Sequence, residues 1–156
     1  MNDKTTAQRK SDREMVVTRT FDAPARIVFE AWTKPELFKR WWVPKSMPMT
    51  LLSCDMDVRV GGGYRLEFGT GDSKSMAFFG KYTEVTPYSR LVWTNDESDE
   101  GAVTTVTFEE QDGKTLVVLS ELYPSKEALD RSIGATEGLP EQFGQLDELL
   151  ATLGTP

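Results

Sequence analysis

Chemistry in this chain has to come from carboxylates, tyrosines, lysines and one thiol, because its 156 residues include no histidine. That absence excludes a Ser-His-Asp triad, a Cys-His pair, the common zinc sites and any imidazole acid or base. The groups that remain can catalyse, but in a small domain they do so less often, and the balance moves toward binding. Several local patterns invite a chemical reading, and each has a plainer one beside it. Asp57 and Arg59 stand two apart and share one strand face; a salt bridge beside the following glycine turn accounts for them. Gly61, Gly62 and Gly63 resemble a phosphate-cradling loop, yet no lysine with serine or threonine follows as in a P-loop, so they read as a turn. Asp96, Glu97, Asp99 and Glu100 could gather around calcium, but the glycine and glutamate that an EF-hand loop needs are missing, and a solvated hairpin tip suffices. Cys54 has no cation or histidine nearby in sequence to lower its pKa and reads as a small buried apolar residue. Glu67 and Glu84 are the carboxylates to test as a general base in a polar interior; strand alternation places Glu67 outside, and Glu84 reads as structural. No metal and no cofactor is expected.

Composition narrows the partners. Eighteen basic against 25 acidic residues give a net charge of −7, which opposes binding to nucleic acid and to anionic membrane surfaces. The single cysteine cannot form an internal disulfide, the N-terminal stretch has no apolar core of the signal-peptide kind, and no apolar run approaches the length that spans a bilayer. A cytoplasmic location without membrane insertion is the expectation. The length fits one domain over residues 14–156, preceded by a polar, disordered tail over residues 1–13.

The elements that would position any site centre on residues 21–42, which hold three of the four tryptophans. Pro24 suits a first helical position, and Ile27, Val28, Ala31 and Trp32 recur on one helical face. Pro35 ends that helix and opens a second, in which Leu37, Phe38 and Trp41 are apolar; Pro44 stops it. So much aromatic surface requires a concave partner, since burying each large side chain is worth roughly 1.5–3 kcal/mol. The spacing predicts strands at 14–21, 49–60, 64–68, 75–85, 90–94, 102–110 and 115–120, with Asp112-Gly113 the clearest hairpin turn. A helix follows over Lys126–Ile133, and from Glu141 onward Phe143, Leu146, Leu149, Leu150 and Leu153 form one stripe. Short connections throughout argue an antiparallel sheet curved around a terminal helix.

Five patterns in order carry a resemblance: Arg19–Pro24 (RTFDAP); Ala31, Trp32, Thr33, Pro35, Leu37, Trp41 and Trp42; Asp57, Arg59, Gly61 and Gly62; Gly80, Tyr82, Glu84, Pro87, Arg90 and Leu91; and the leucine-rich final helix. Over residues 14–153 the chain resembles the bacterial homologues of the C-terminal domain of activators of the heat-shock protein 90 ATPase. The resemblance implies the START-like, Bet v 1-like helix-grip fold of α+β class. In that fold a curved antiparallel sheet, here of six or seven strands, grips a long C-terminal helix, and two short helices follow the first strand. Gly134, Gly138 and Pro140 depart from the pattern by interrupting the long helix. The superfamily's shared feature is a cavity between sheet and helix that takes apolar or amphipathic molecules. Here its lining would be Trp32, Trp41, Tyr64, Leu66, Phe68, Met76, Phe78, Trp93, Val106, Phe108, Phe143 and Leu146, with Tyr82 or Arg65 as polar anchor. The plainer reading makes these residues core. Binding of a small hydrophobic molecule is the first functional expectation. A co-chaperone-type interaction protein and a cyclase or hydrolase on a hydrophobic substrate are the alternatives, and the helical pair could also support a homodimer.

Overall fold

The computed structural model describes residues 5–43, 45–46, 49–70, 75–96, 101–136 and 139–153. Eight strands, β1 (Thr6–Arg9), β2 (Glu14–Phe21), β3 (Met49–Met56), β4 (Gly63–Thr70), β5 (Ser75–Thr86), β6 (Arg90–Thr94), β7 (Val103–Gln111) and β8 (Lys114–Leu122), form one sheet in the order β1-β2-β8-β7-β6-β5-β4-β3. Every pairing is antiparallel. Helices α1 (Ala25–Thr33) and α2 (Pro35–Phe38) follow β2, and α3 (Lys126–Thr136) and α4 (Leu139–Leu153) close the chain. This is the helix-grip α+β architecture expected from the sequence.

The sheet has eight strands rather than six or seven, and the extra one lies in the stretch expected to be a disordered tail. β1 is exposed at all four positions and so has no apolar alternation to announce it. Backbone pairing with β2 and an Arg9–Asp130 ion pair of 2.8 Å to α3 hold it instead. β3 is also shorter than the expected 49–60. The chain turns at Asp57, whose N–H donates to the Gly63 carbonyl, and a Cβ at Gly62 would lie 2.1 Å from the Asp57 carbonyl oxygen, which excludes any larger residue there. The Asp112-Gly113 turn forms as expected, with φ of 57° and 79°, the doubly left-handed geometry that matches strand twist.

β5 is the longest strand and serves two neighbours, pairing with β4 through its first half and β6 through its second. The change falls between Lys81 and Tyr82, next to Gly80, where a Cβ would meet the Thr94 carbonyl oxygen at 1.9 Å. Glycine there lets the sheet bend tightly enough to become concave.

The helices lie on that concave face. Pro24 does not take the first helical position expected of it but precedes α1 in an extended conformation, whereas Pro35 occupies the first position of α2, as the sequence implies. The interrupted terminal helix resolves into α3 and α4, with Pro140 in the first turn of α4, where its missing N–H costs nothing; Gly138 lies outside the described residues. α4 packs chiefly against α1 and β2. One large apolar cluster unites α1, α2, α4 and the sheet, and a second, smaller one joins Met15, Ala102, Tyr123, Ala128 and Leu129 beneath α3.

Candidate functional site

The residues expected to line an interior site do converge. Trp32, Trp41, Leu66, Phe68, Val106, Phe108, Phe143 and Leu146 are buried in the large cluster, and Tyr64, Phe78 and Trp93 are half-buried against it. Tyr82 is buried beside Tyr64 and Trp93, with ring centroids 5.9 and 6.3 Å away. The side chain of Met76 lies outside the described residues. Trp32 is the hub: its ring meets Trp41 at 4.8 Å, Trp93 at 6.0 Å, Phe108 at 6.1 Å, and Trp42 and Phe143 at 6.2 Å, mostly edge to face.

The two central indoles differ in one respect. Trp41 donates its Nε1–H to the Ala31 carbonyl at 3.0 Å, which ties the turn after α2 to the last turn of α1. Trp32 Nε1 is equally buried and has no hydrogen-bond partner among the described residues. Burying a donor without an acceptor costs about 1–3 kcal/mol, so this N–H marks a place where an acceptor would be gained at no desolvation cost to the protein.

Toward the other end of the concave face the lining becomes polar. Cross-strand register puts Tyr82 opposite Trp93, Trp93 opposite Thr104, Thr104 opposite Glu121 and Glu121 opposite Met15, one transverse row across five strands. A hydrogen-bonded chain runs along it. The Tyr64 hydroxyl lies 2.9 Å from Asn95 Oδ1, Asn95 Nδ2 donates to Thr104 Oγ1 at 3.0 Å, Thr104 donates to Glu121 Oε2 at 3.3 Å, and Tyr123 donates to Glu121 Oε1 at 3.4 Å. The last two donors, the Thr104 and Tyr123 hydroxyls, point at Glu121, while Tyr64 and Asn95 also reach the Thr94 and Ala102 carbonyls. The row runs from Trp93, packed against the large apolar cluster, to Met15 of the smaller one.

Glu121 keeps partial access to solvent as a residue, yet its carboxyl is densely surrounded by protein, and burial pushes its pKa up against the opposing pull of the Thr104 and Tyr123 hydroxyls. No cation pairs with it among the described residues. A buried carboxyl with a raised pKa and no ionic partner is unusual away from functional sites. It is not one of the carboxylates, Glu67 and Glu84, that the sequence puts forward. The signal was available: Thr115, Val117 and Leu119 alternate as the buried face of β8, and Glu121 is the next position of the same parity.

The other candidates take plainer places. Arg65 and Glu67 pair at 3.5 Å on the outer face, which removes Arg65 from the role of interior anchor, and Glu84 pairs with Arg90 at 3.1 Å at a strand end. Asp57 and Arg59 make the expected exposed salt bridge at 2.9 Å. Burial first and Asp55 second push the Cys54 thiol pKa up, with Lys39 opposing, so it is not an activated nucleophile. Burial likewise pushes the Tyr82 phenol above its ordinary value. Of the acidic tip, Glu97, Asp99 and Glu100 lie outside the described residues, and no grouping able to hold a metal occurs among the described ones. A cleft of about 330 Å³ opens between α2 and β3, lined by Pro35, Glu36, Lys39 and Leu51–Cys54, away from the Trp32 hub.

A set of polar contacts that apolar periodicity cannot reveal holds α4 over the hub. Gln145 Nε2 donates to the carbonyls of Trp41 at 3.0 Å and Val43 at 2.9 Å, while its Oε1 accepts from Lys45 N at 2.7 Å. Gln142 donates to the Trp42 carbonyl, and Glu141 accepts from both the backbone and the hydroxyl of Ser46. At the far side Asp147 meets Arg19 of β2 at 3.3 Å.

A family model for Activator of Hsp90 ATPase homolog 1-like protein matches residues 22–151, which spans α1 through nearly all of α4. The chain belongs to this family. Similar solved structures agree with the chain over nearly their whole length. A Rhodobacter sphaeroides protein superposes with a TM-score of 0.87 at 20% identity, covering 96% of this chain and 99% of its own. A Mycobacterium smegmatis protein superposes at 0.80 with 26% identity over 94% and 96%. An AHSA1-like protein from Aeromonas hydrophila superposes at 0.68 with 20% identity over 90% and 94%. No curated protein matches the chain. No described helix of this activator homologue is long and apolar enough to cross a membrane.

Proposed function

We propose that this activator homologue binds a small, mainly apolar or amphipathic molecule in its interior, between the sheet and α4, and that it works in the cytoplasm. The observation that carries the reading is the buried Trp32 Nε1–H without a partner, at the centre of an aromatic hub whose neighbour Trp93 is only half-buried. A ligand bearing a hydrogen-bond acceptor satisfies that donor while its apolar part meets Trp32, Trp93, Phe78 and Tyr64. Interior sites of this kind are mostly apolar with few placed polar groups, which is the composition of this one. Titration of the intrinsic tryptophan fluorescence with n-octanol tests it. A saturable change is expected, and Trp32→Phe weakens it by about threefold to tenfold, the worth of one hydrogen bond. A flat response into the high micromolar range overturns the reading.

Membership of the activator family supports a second reading, an interaction with the heat-shock protein 90 ATPase through the outer surface. Stimulation of that ATPase by the purified protein is its test. For catalysis on a bound hydrophobic substrate, Glu121 is the carboxyl among the described residues of the concave face that we would assign as acid or base.

A further inference from the structure

The polar row has a direction. Asn95 gives an amide hydrogen to Thr104, so the Thr104 hydroxyl hydrogen is free to point at Glu121, and the Tyr123 hydroxyl approaches the other carboxyl oxygen. Both contacts are long, at 3.3 and 3.4 Å, and neither brings a positive charge. The charged groups of the flanking elements are engaged elsewhere: Arg13 with the Tyr123 carbonyl, Glu14 with Ser120, and Arg9 and Lys126 with Asp130. A terminal acceptor has therefore been placed on the concave face, between two apolar clusters, with its charge left uncompensated. A buried carboxylate in such a setting is stabilised most by a cation that brings its own N–H donors.

We propose that Glu121 is the polar anchor of the interior site and that the ligand it takes is a hydrophobic amine, whose protonated nitrogen donates to the carboxylate. The inference rests on the interior-binding reading above. The amine's nitrogen meets Glu121 beside Thr104 and Tyr123, and its apolar part runs toward Trp93 and Trp32, where an acceptor carried on that part reaches the Trp32 Nε1–H. The bound pair is neutral, which removes the unfavourable burial of either charge alone. The row thereby acts as a filter: an alcohol of the same length gains the apolar contacts and the Trp32 hydrogen bond but no ion pair, and a carboxylate meets repulsion from Glu121.

The test compares n-octylamine, n-octanol and n-octanoate by tryptophan fluorescence at neutral pH and physiological ionic strength, which screens general attraction of cations to an acidic protein. The amine is expected to bind about threefold to tenfold tighter than the alcohol, the worth of a charge-assisted hydrogen bond less that of the neutral bond the alcohol makes to Trp32, and the carboxylate weakest. In Glu121→Gln the amine loses its lead over the alcohol; Glu121→Met serves the same purpose should the amide variant fold poorly by circular dichroism. Equal affinity for amine and alcohol in the native protein overturns the proposal and leaves interior binding standing. A lead that survives both variants overturns it as well. Failure of all three compounds to bind overturns the interior reading itself and this inference with it.

Discussion

Two halves of the same concave face are built on opposite principles. Around Trp41 every polar atom is spoken for: its indole reaches the Ala31 carbonyl, its own carbonyl receives Gln145, and α4 clasps the following turn through Gln142 and Glu141. Around Trp32 and Glu121 the bookkeeping is left open, with an indole donor lacking an acceptor and a carboxyl lacking a cation among the described residues. Both halves are buried and both are rich in aromatic side chains, so burial alone does not distinguish a core from a site. Polar satisfaction does, because an unsatisfied buried group costs stability and persists where something else is gained from it.

If that contrast is right, damage to the closed half is expensive and damage to the open half is cheap or favourable. The largest effect is expected from Trp41→Ala, which deletes a fully buried ring and its hydrogen bond to α1 and should destabilise by about 3–5 kcal/mol in denaturant unfolding. Gln145→Leu comes next. It keeps the volume but strands the Trp41 and Val43 carbonyls and the Lys45 N–H, for an expected loss of about 1–3 kcal/mol.

Glu121→Gln sharpens the comparison through its sign. Burial raises the carboxyl's pKa in the folded chain, so the folded state holds its proton more tightly than the unfolded state does. Stability therefore falls as pH rises from the ordinary glutamate value of about 4.5 up through the raised folded value. Thermal melts should show Glu121→Gln more stable than the native chain at neutral pH, with the advantage fading below the ordinary value. A native chain that is the more stable of the two at neutral pH would mean that the carboxylate is compensated after all. The smallest effect is expected at Arg59→Ala, which breaks only an exposed pair with Asp57 and should cost about 0–1 kcal/mol.

What the sequence disclosed follows the same division. Elements announced by apolar spacing and by proline or glycine punctuation were legible: α1 and α2 from Pro24, Pro35 and the recurrence of Val28, Ala31 and Trp32, the β7–β8 hairpin from Asp112-Gly113, and α4 from its leucines. Elements held by polar groups were not. β1 has no buried side chain and exists through backbone pairing and the Arg9–Asp130 contact. Apolar spacing does not mark Gln142 and Gln145, although they lie on the buried side of α4 and carry its attachment to the turn after α2. Glu121 was hidden by its charge, since alternation along β8 placed it inward while its residue type suggested outward. The apolar half of the candidate site was thus legible, and the polar half needed cross-strand register to be seen.

The central claim is that Trp32 Nε1–H awaits an acceptor which a ligand supplies. The most direct test is the indole N–H region of a nitrogen-15 correlation spectrum, with Trp32 and Trp41 assigned through Trp32→Phe and Trp41→Phe variants, recorded while n-octanol is added. The account predicts that the Trp32 signal moves downfield as its hydrogen bond forms, while the Trp41 signal, already bonded to Ala31, stays in place. A Trp32 signal that does not move at octanol concentrations that saturate the fluorescence change would contradict it.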